Sequence, residues 1–216
     1  DAHTVVPMVS AKDYKRIGEG DTGLNTGGMG AISPNPLYDD ELEDYCLENI
    51  IEPTLEGMRQ EGRPFKGILY CGIMLTEAGP RVLEYNVRFG DPETQVILPR
   101  LKTDLADIFD AVIDDRLAAL EIEWDDAAAA TIVLASQGYP ESYPKGLVIS
   151  GLEKVISSVV FHAGTKLSEG EVLTSGGRVL NVTTTADTVT SALKTSYENG
   201  ELIHFEGKTI RRDIGS

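Results

Sequence analysis

Hydrophobic and polar positions along the 216-residue chain change period several times, and each change predicts an element. Residues 4–10 (T-V-V-P-M-V-S) predict a strand. Asp39 or Asp40 is placed to cap a helix whose first turn is rich in Asp and Glu, which suits the positive end of a helix dipole. Behind the cap, Leu42, Cys46, Ile50, Leu55 and Met58 keep roughly helical spacing, and Pro53 predicts a kink or a break. The segment K-G-I-L-Y-C-G-I-M-L, residues 66–75, is nearly continuous apolar text, the pattern of a strand covered on both faces. E-A-G-P turns the chain, and residues 81–89 return as the hairpin partner. Alternation there predicts Val82, Glu84, Asn86 and Arg88 on one face and Leu83, Tyr85, Val87 and Phe89 on the other, the latter against a core.

Residues 104–120 predict an amphipathic helix that fades into the acidic E-I-E-W-D-D. Beyond it A-A-T-I-V-L-A-S, V-V-F-H-A-G and G-R-V-L-N-V-T-T-T predict strands between glycine turns. A helix from about Asp187 to Glu198 and a short strand around residues 203–210 complete a small mixed unit. A domain boundary is placed near residue 125. No internal repeat or low-complexity tract is present.

One stretch fits neither period. Residues 18–30, G-E-G-D-T-G-L-N-T-G-G-M-G, hold six glycines in thirteen positions, and Pro34 and Pro36 prolong the irregularity. Such density predicts a loop with unusual backbone angles or close approach to a ligand. Its N–H groups could cradle an oxyanion, with Asn25 and Thr26 adding polar contacts and Lys15 and Arg16 supplying positive charge. Met29 and Ile32 suggest that the loop is packed.

Charge narrows the field of partners. Asp and Glu outnumber Lys and Arg 35 to 19, a formal charge of −16, so a phosphate backbone is repelled and general nucleic-acid binding is not expected. A small anion remains compatible, because a metal or a few local cations reverse the sign inside a cleft. No apolar run reaches the roughly 20 residues of a membrane helix. Cys46 and Cys71 lie in unrelated contexts and form no disulfide or zinc pattern. A cytoplasmic protein is expected. Asp1 stands where Met would open a chain, and it leads almost directly into a predicted strand, so a piece of a longer protein is expected.

Most motif matches fail on context. G-E-G-D-T-G fits the dinucleotide fingerprint in letters, but no helix begins inside it. G-K-T at 207–209 has Leu202 where a P-loop requires its first glycine. His3, His162 and His204 have no metal-ligand spacing, and no nucleophile elbow occurs. The face carrying Glu84, Asn86 and Arg88 survives. A carboxylate and an amide oxygen two residues apart can reach one hard cation, and a guanidinium one pleat further can hold a phosphate oxygen. G-D-P-E-T-Q follows at once, adding Asp91 and Glu93 around Pro92. Together these point to a metal–phosphate site.

The strings V-L-E-Y-N-V-R-F-G-D-P-E-T-Q and G-D-T-G-L-N-T-G-G-M-G resemble those of the phosphoribosylamine–glycine ligase family. K-D-Y-K-R, A-I-S-P-N-P, Q-G-Y-P-E-S-Y-P-K-G, F-H-A-G-T-K, S-G-G-R-V-L-N-V-T and R-R-D-I-G follow in that family's order, nearly end to end. The resemblance implies an α+β chain. Residues 1–124 would be the C-terminal half of an ATP-grasp domain, an antiparallel sheet with helices, and residues 125–216 the family's small mixed C-terminal domain. It implies ATP-driven joining of glycine to 5-phosphoribosylamine through a glycyl phosphate, in purine synthesis. Glu84 and Asn86 would be ligands of Mg2+ or Mn2+, and Arg88 would stabilise the transferring phosphoryl group. Asp91 and Glu93 would share the catalytic site, while Lys15, Arg16, Asn25, Thr26, Gly27, Gly28, Met29, Gly30 and Pro92 would bind substrate. The family's N-terminal domain and first ATP-grasp half have no counterpart here, so the chain is expected to be inactive alone. Another ATP-grasp carboxylate–amine ligase and a non-catalytic assembly fragment are the competing readings.

Overall fold

A computed structural model describes residues 1–216. The strands are β1 Lys12–Asp13, β2 Arg16–Gly18, β3 Thr22–Asn25, β4 Gly30–Ser33, β5 Tyr70–Thr76, β6 Gly79–Asn86, β7 Ala128–Ser136, β8 Val159–His162, β9 Thr165–Ser168, β10 Glu171–Thr174, β11 Arg178–Ala186 and β12 Lys208–Thr209. The helices are α1 Asp40–Cys46, α2 Glu52–Gln60, α3 Thr94–Ile97, α4 Leu105–Ile113 and α5 Val189–Leu202. They form two compact units that interleave along the chain. One comprises Asp1–Val9, Pro36–Gly90 and Leu101–Asp125; the other comprises Ser10–Asn35, Asp91–Arg100 and Asp126–Ser216. Residues 10–35 and 91–100 are compact with the segment from Asp126 onward.

In the first unit Asp39 caps α1 by accepting a hydrogen bond from the Leu42 N–H. The helix neither breaks nor stays regular. It widens to a π turn over Leu47–Ile51 and resumes as α2, with Pro53 in the first turn of the new segment, where the missing N–H costs least. β5 and β6 pair antiparallel as expected, with a bulge between Gly72 and Ile73. The face expected against a core is only partly covered: Tyr85 reaches Thr54 of α2 at 2.8 Å, but Leu83 is 55% and Val87 75% exposed. β5 also has exposed residues at Met74 and Leu75, so it is not sheltered on both sides. The hairpin has only two strands, too few to bury both of its faces.

Two further expectations fail in this unit. None of residues 4–10 joins a ladder, since Pro7 carries no donor and no partner strand lies alongside. The helix expected over 104–120 is cut to α4, because Asp115 takes a positive φ of 55° and only a 3-10 turn follows at Leu117–Ala119. Ile108, Ala111, Val112 and Leu117 form the small core there.

The second unit is built on an antiparallel sheet in the order β1-β4-β7-β11-β8, with β12 also paired to β7. β7 is buried at all nine positions, as its unbroken A-A-A-T-I-V-L-A-S text dictates for a central strand. Ile132, Leu134, Leu180 and Val182 cluster with Ile203 and Phe205. Ala31, Ala129 and Val96 form a smaller cluster. Thr188 caps α5, which docks on the sheet through Ser196 Oγ, a donor to the Ala130 carbonyl at 3.2 Å. The glycine stretch is more ordered than expected. β2 and β3 close a tight hairpin within it, with positive φ at Gly20, Asp21 and Gly23. The β9–β10 hairpin is an element the sequence pattern missed, and the last strand shrinks to Lys208–Thr209.

Candidate active site

In the first unit the hairpin register sets the two proposed metal ligands. Glu84 lies opposite Gly72 and Asn86 opposite Tyr70, so both side chains leave the same face of β6. Asn86 is half-buried and Glu84 exposed, outside any apolar layer. Arg88 departs from the expected series. β6 ends at Asn86 because β5 begins at its partner Tyr70, and residues 87–88 form a bend. Arg88 therefore has no pleat to aim it, and its Nη1 donates to the Phe89 carbonyl at 2.8 Å.

The other candidates gather in the second unit. Asp91 and Glu93 flank Pro92 just before α3, with Glu93 buried at the helix start and Asp91 exposed. Pro92 packs beneath the glycine loop. Gly28 has φ +116°, and a Cβ on it would press into the Pro92 ring and lie 2.6 Å from an Asp13 carboxylate oxygen. Glycine is required there on both counts.

The expected oxyanion cradle is absent from the heart of this loop, because its N–H groups are already spent. Thr26 N–H bonds to the Lys15 carbonyl, Gly27 N–H to the Tyr139 hydroxyl, Gly28 N–H to Thr26 Oγ1 and Met29 N–H to the Tyr14 carbonyl. Met29 is fully buried and serves the core. Arg16 donates to the Gly23 carbonyl at 2.7 Å, bracing the β2–β3 hairpin, and Lys15 pairs with Asp13 at 2.9 Å. The carbonyls of Gly27, Met29 and Gly30 are engaged as well, by Arg178, the Val133 N–H and the Tyr14 N–H, so what the segment can still present to a ligand is the exposed side chain of Asn25.

Three residues belong to this constellation that the sequence pattern did not single out. Asp13 is buried, and burial together with the nearby Glu93 charge pushes its carboxyl up to about 6 against the pull of Lys15. Tyr139 and Arg178 meet the loop from the later part of the chain. Asp13 could have been found in the alternation of K-D-Y-K-R, beside the Lys15 already singled out, and Arg178 in the paired glycines before it. Tyr139 left no local signal.

An antiparallel sheet with flanking helices and a hairpin that offers a carboxylate beside an amide is an ATP-grasp arrangement. Distant solved structures share that fold, among them the biotin carboxylase domain of a thermophilic 2-oxoglutarate carboxylase, at 14% identity and TM-score 0.58 over 85% of this chain and 41% of that one. A far stronger match is phosphoribosylamine–glycine ligase from Thermotoga maritima, at TM-score 0.81 and 37% identity over 96% of this chain and 51% of that one. Residues 1–94 match the model of the phosphoribosylglycinamide synthetase ATP-grasp (A) domain, and residues 129–216 match that of the phosphoribosylglycinamide synthetase C domain. The phosphoribosylamine–glycine ligase of Brucella melitensis is 49% identical over the whole chain and 51% of its own length. A trifunctional purine biosynthetic protein of Gallus gallus is 50% identical over the whole chain and 22% of its length. The chain belongs to the phosphoribosylglycinamide synthetase family. It spans about half the length of the single-function relatives it matches.

Proposed function

We propose that the protein containing this chain is an ATP-dependent ligase that joins glycine to 5-phosphoribosylamine. The observation that carries the reading is the shared face of Glu84 and Asn86 on β6, open rather than sealed in a core. Two oxygen donors are fewer than a hard cation needs, and no group of three or more His, Cys, Asp or Glu side chains gathers for a metal. That donor set suits an ion held jointly by protein and nucleotide phosphates, the usual habit of magnesium. Glu84 and Asn86 would hold Mg2+, or Mn2+ in its place, and such an ion would neutralise phosphate charge when bound.

In the proposed reaction a glycine carboxylate oxygen attacks the γ-phosphorus of ATP, and ADP leaves. The ribosylamine nitrogen then attacks the acyl carbon, phosphate leaves and the nitrogen gives up a proton. Chemistry of this kind asks for positioning and charge neutralisation more than covalent help. Arg88 would meet the transferring phosphoryl group from its bend. Asp91 and Glu93, with the Asn25–Gly30 loop, would line the glycine and amine sites. Residues 1–124 are read as the closing part of the ATP-grasp domain and 125–216 as the C-terminal domain, with the rest of the enzyme as partner. No helix is long and apolar enough to cross a membrane, which is compatible with the cytoplasmic placement proposed here. Incubating the complete protein with ATP, Mg2+, ribosylamine and a panel of carboxylates tests the reading. ADP release dependent on glycine is expected; release driven by another acid, or none, overturns it.

A further inference from the structure

We infer that Arg178 and Tyr139 form a clamp in which Arg178 is a positioning residue, locking the 25–30 loop to the Asp91 turn so that both stand ready for substrate. The inference rests on the proposed ligase site for its catalytic consequence, though not for its geometry. Arg178 opens β11, and its guanidinium spans two separate stretches of chain. Nη1 donates to the Gly27 carbonyl at 2.7 Å and to the Asp91 carbonyl at 2.9 Å, and Nη2 donates to Asp91 Oδ2 at 2.9 Å. The planar fork lies flat on the loop: a Cβ on Gly27 would come within 2.8 Å of the guanidinium carbon. Tyr139 takes the other side of the same residue, its hydroxyl accepting the Gly27 N–H at 2.9 Å. Both polar groups of Gly27 are thus held by side chains more than a hundred residues away in sequence.

The side chain of Arg178 is only 19% exposed. In such a place a guanidinium fork is worth more than a point charge, because several acceptors are met at once without further ordering of the side chain. A lysine could reach Asp91 or Gly27 but could not reproduce the flat, forked contact. Asp91 is consequently held by its backbone and its carboxylate together, which fixes the turn that carries Glu93. A shift of about 1 Å in a substrate-lining group is enough to slow a reaction by about a hundredfold.

Arg178→Gln, Arg178→Lys and Tyr139→Phe in the complete enzyme test the clamp by two independent readouts. Hydrogen–deuterium exchange should rise in residues 25–30 and 91–93 together in Arg178→Gln, and in 25–30 in Tyr139→Phe. Turnover of the folded Arg178→Gln enzyme should fall by about a hundredfold, with the KM for ATP changed by less than about twofold and partial recovery in Arg178→Lys. Should Arg178→Gln not fold, Tyr139→Phe removes a single acceptor oxygen and carries the test alone. Exchange and turnover both equal to the parent in that variant overturn the inference, as does a loss explained wholly by a smaller folded fraction. A parent enzyme without glycine-dependent ADP release, combined with the exchange change, sinks the ligase reading and leaves the clamp standing.

Discussion

Glu84 stands directly across the hairpin from Gly72, and its Cγ occupies the space that a Cβ on Gly72 would approach to 3.2 Å. The same Cβ would come within 3.4 Å of the Tyr70 ring, so the pocket around the carboxylate stem has no slack on that side. Gly72→Val should press on the Glu84 stem and tilt it away from Asn86 while both residues keep their identity. In the complete enzyme this is expected to raise the Mg2+ concentration for half-maximal rate by about tenfold, the scale seen when support of a metal ligand is disturbed. An unchanged magnesium profile would show that Glu84 is not held where the hairpin puts it.

The ligands themselves give a sharper contrast. Glu84→Gln removes a negative charge from the proposed site and should weaken Mg2+ activation by at least about tenfold. Asn86→Asp adds one, so less Mg2+ should be needed while turnover falls through repulsion of phosphate. Asp104→Asn is the control. Asp104 caps α4 by accepting from the Ala106 N–H, and asparagine caps about as well as aspartate, so the magnesium profile should not move. Equal behaviour of all three variants in a rate-against-Mg2+ titration would remove the metal assignment.

Legibility in the sequence followed the range of the forces involved. The shared face of Glu84 and Asn86 was readable because strand alternation is a local property, and so was the Asp39 cap. The buried text of β7 needed no partner to be recognised. Arg88 was misplaced because strand length depends on where β5 begins, which its own neighbourhood does not record. The same limit explains residues 4–10, whose mostly apolar text found no strand to pair with. The glycine loop was seen as special for the right reason, positive φ and close approach, yet its N–H groups were expected to face a ligand. They face Lys15, Tyr139, Thr26 and Tyr14 instead, and no local rule could have named Tyr139.

Asp13 makes a prediction about pH. Its carboxyl is raised from 3.8 to about 6, by burial first and by Glu93 second, with Lys15 opposing. Between those values the folded chain holds a proton that the unfolded chain has released, so this group's contribution to stability falls as pH rises through that window and stays lost above it. Asp13→Asn removes the ionisable group and keeps the shape. The variant should be more stable than the parent at pH 7.5, by about 1–3 kcal/mol, with the difference closing toward pH 4. Urea denaturation at several pH values measures this directly. A variant less stable at pH 7.5 would mean that the Lys15 ion pair outweighs the burial of the charge.

Arg211 is the strongest candidate for a purely structural cation. Its side chain is 1% exposed and reaches two carboxylates and a carbonyl. Nε and Nη2 donate to the two Asp213 oxygens at 2.6 and 3.1 Å, Nη2 also to Asp21 at 2.9 Å, and Nη1 to the Arg16 carbonyl at 3.0 Å. The guanidinium also lies 5.2 Å from the Tyr14 ring centre, a cation–π contact. Asp213 in turn accepts the Gly20 N–H at 2.7 Å, so the β2–β3 hairpin and the C-terminal tail share one hub. Arg211→Lys keeps the charge but offers one ammonium where a fork is needed. It should lower stability by about 3 kcal/mol, since a buried partner set is broken rather than replaced. Because Asp21 is 74% exposed and can return to water, most of that loss should come from Asp213 and the Arg16 carbonyl. Asp21→Asn should therefore cost less than about 1 kcal/mol in the same denaturation assay. If it matched Arg211→Lys, the hub would owe its strength to the exposed pair and not to the buried fork.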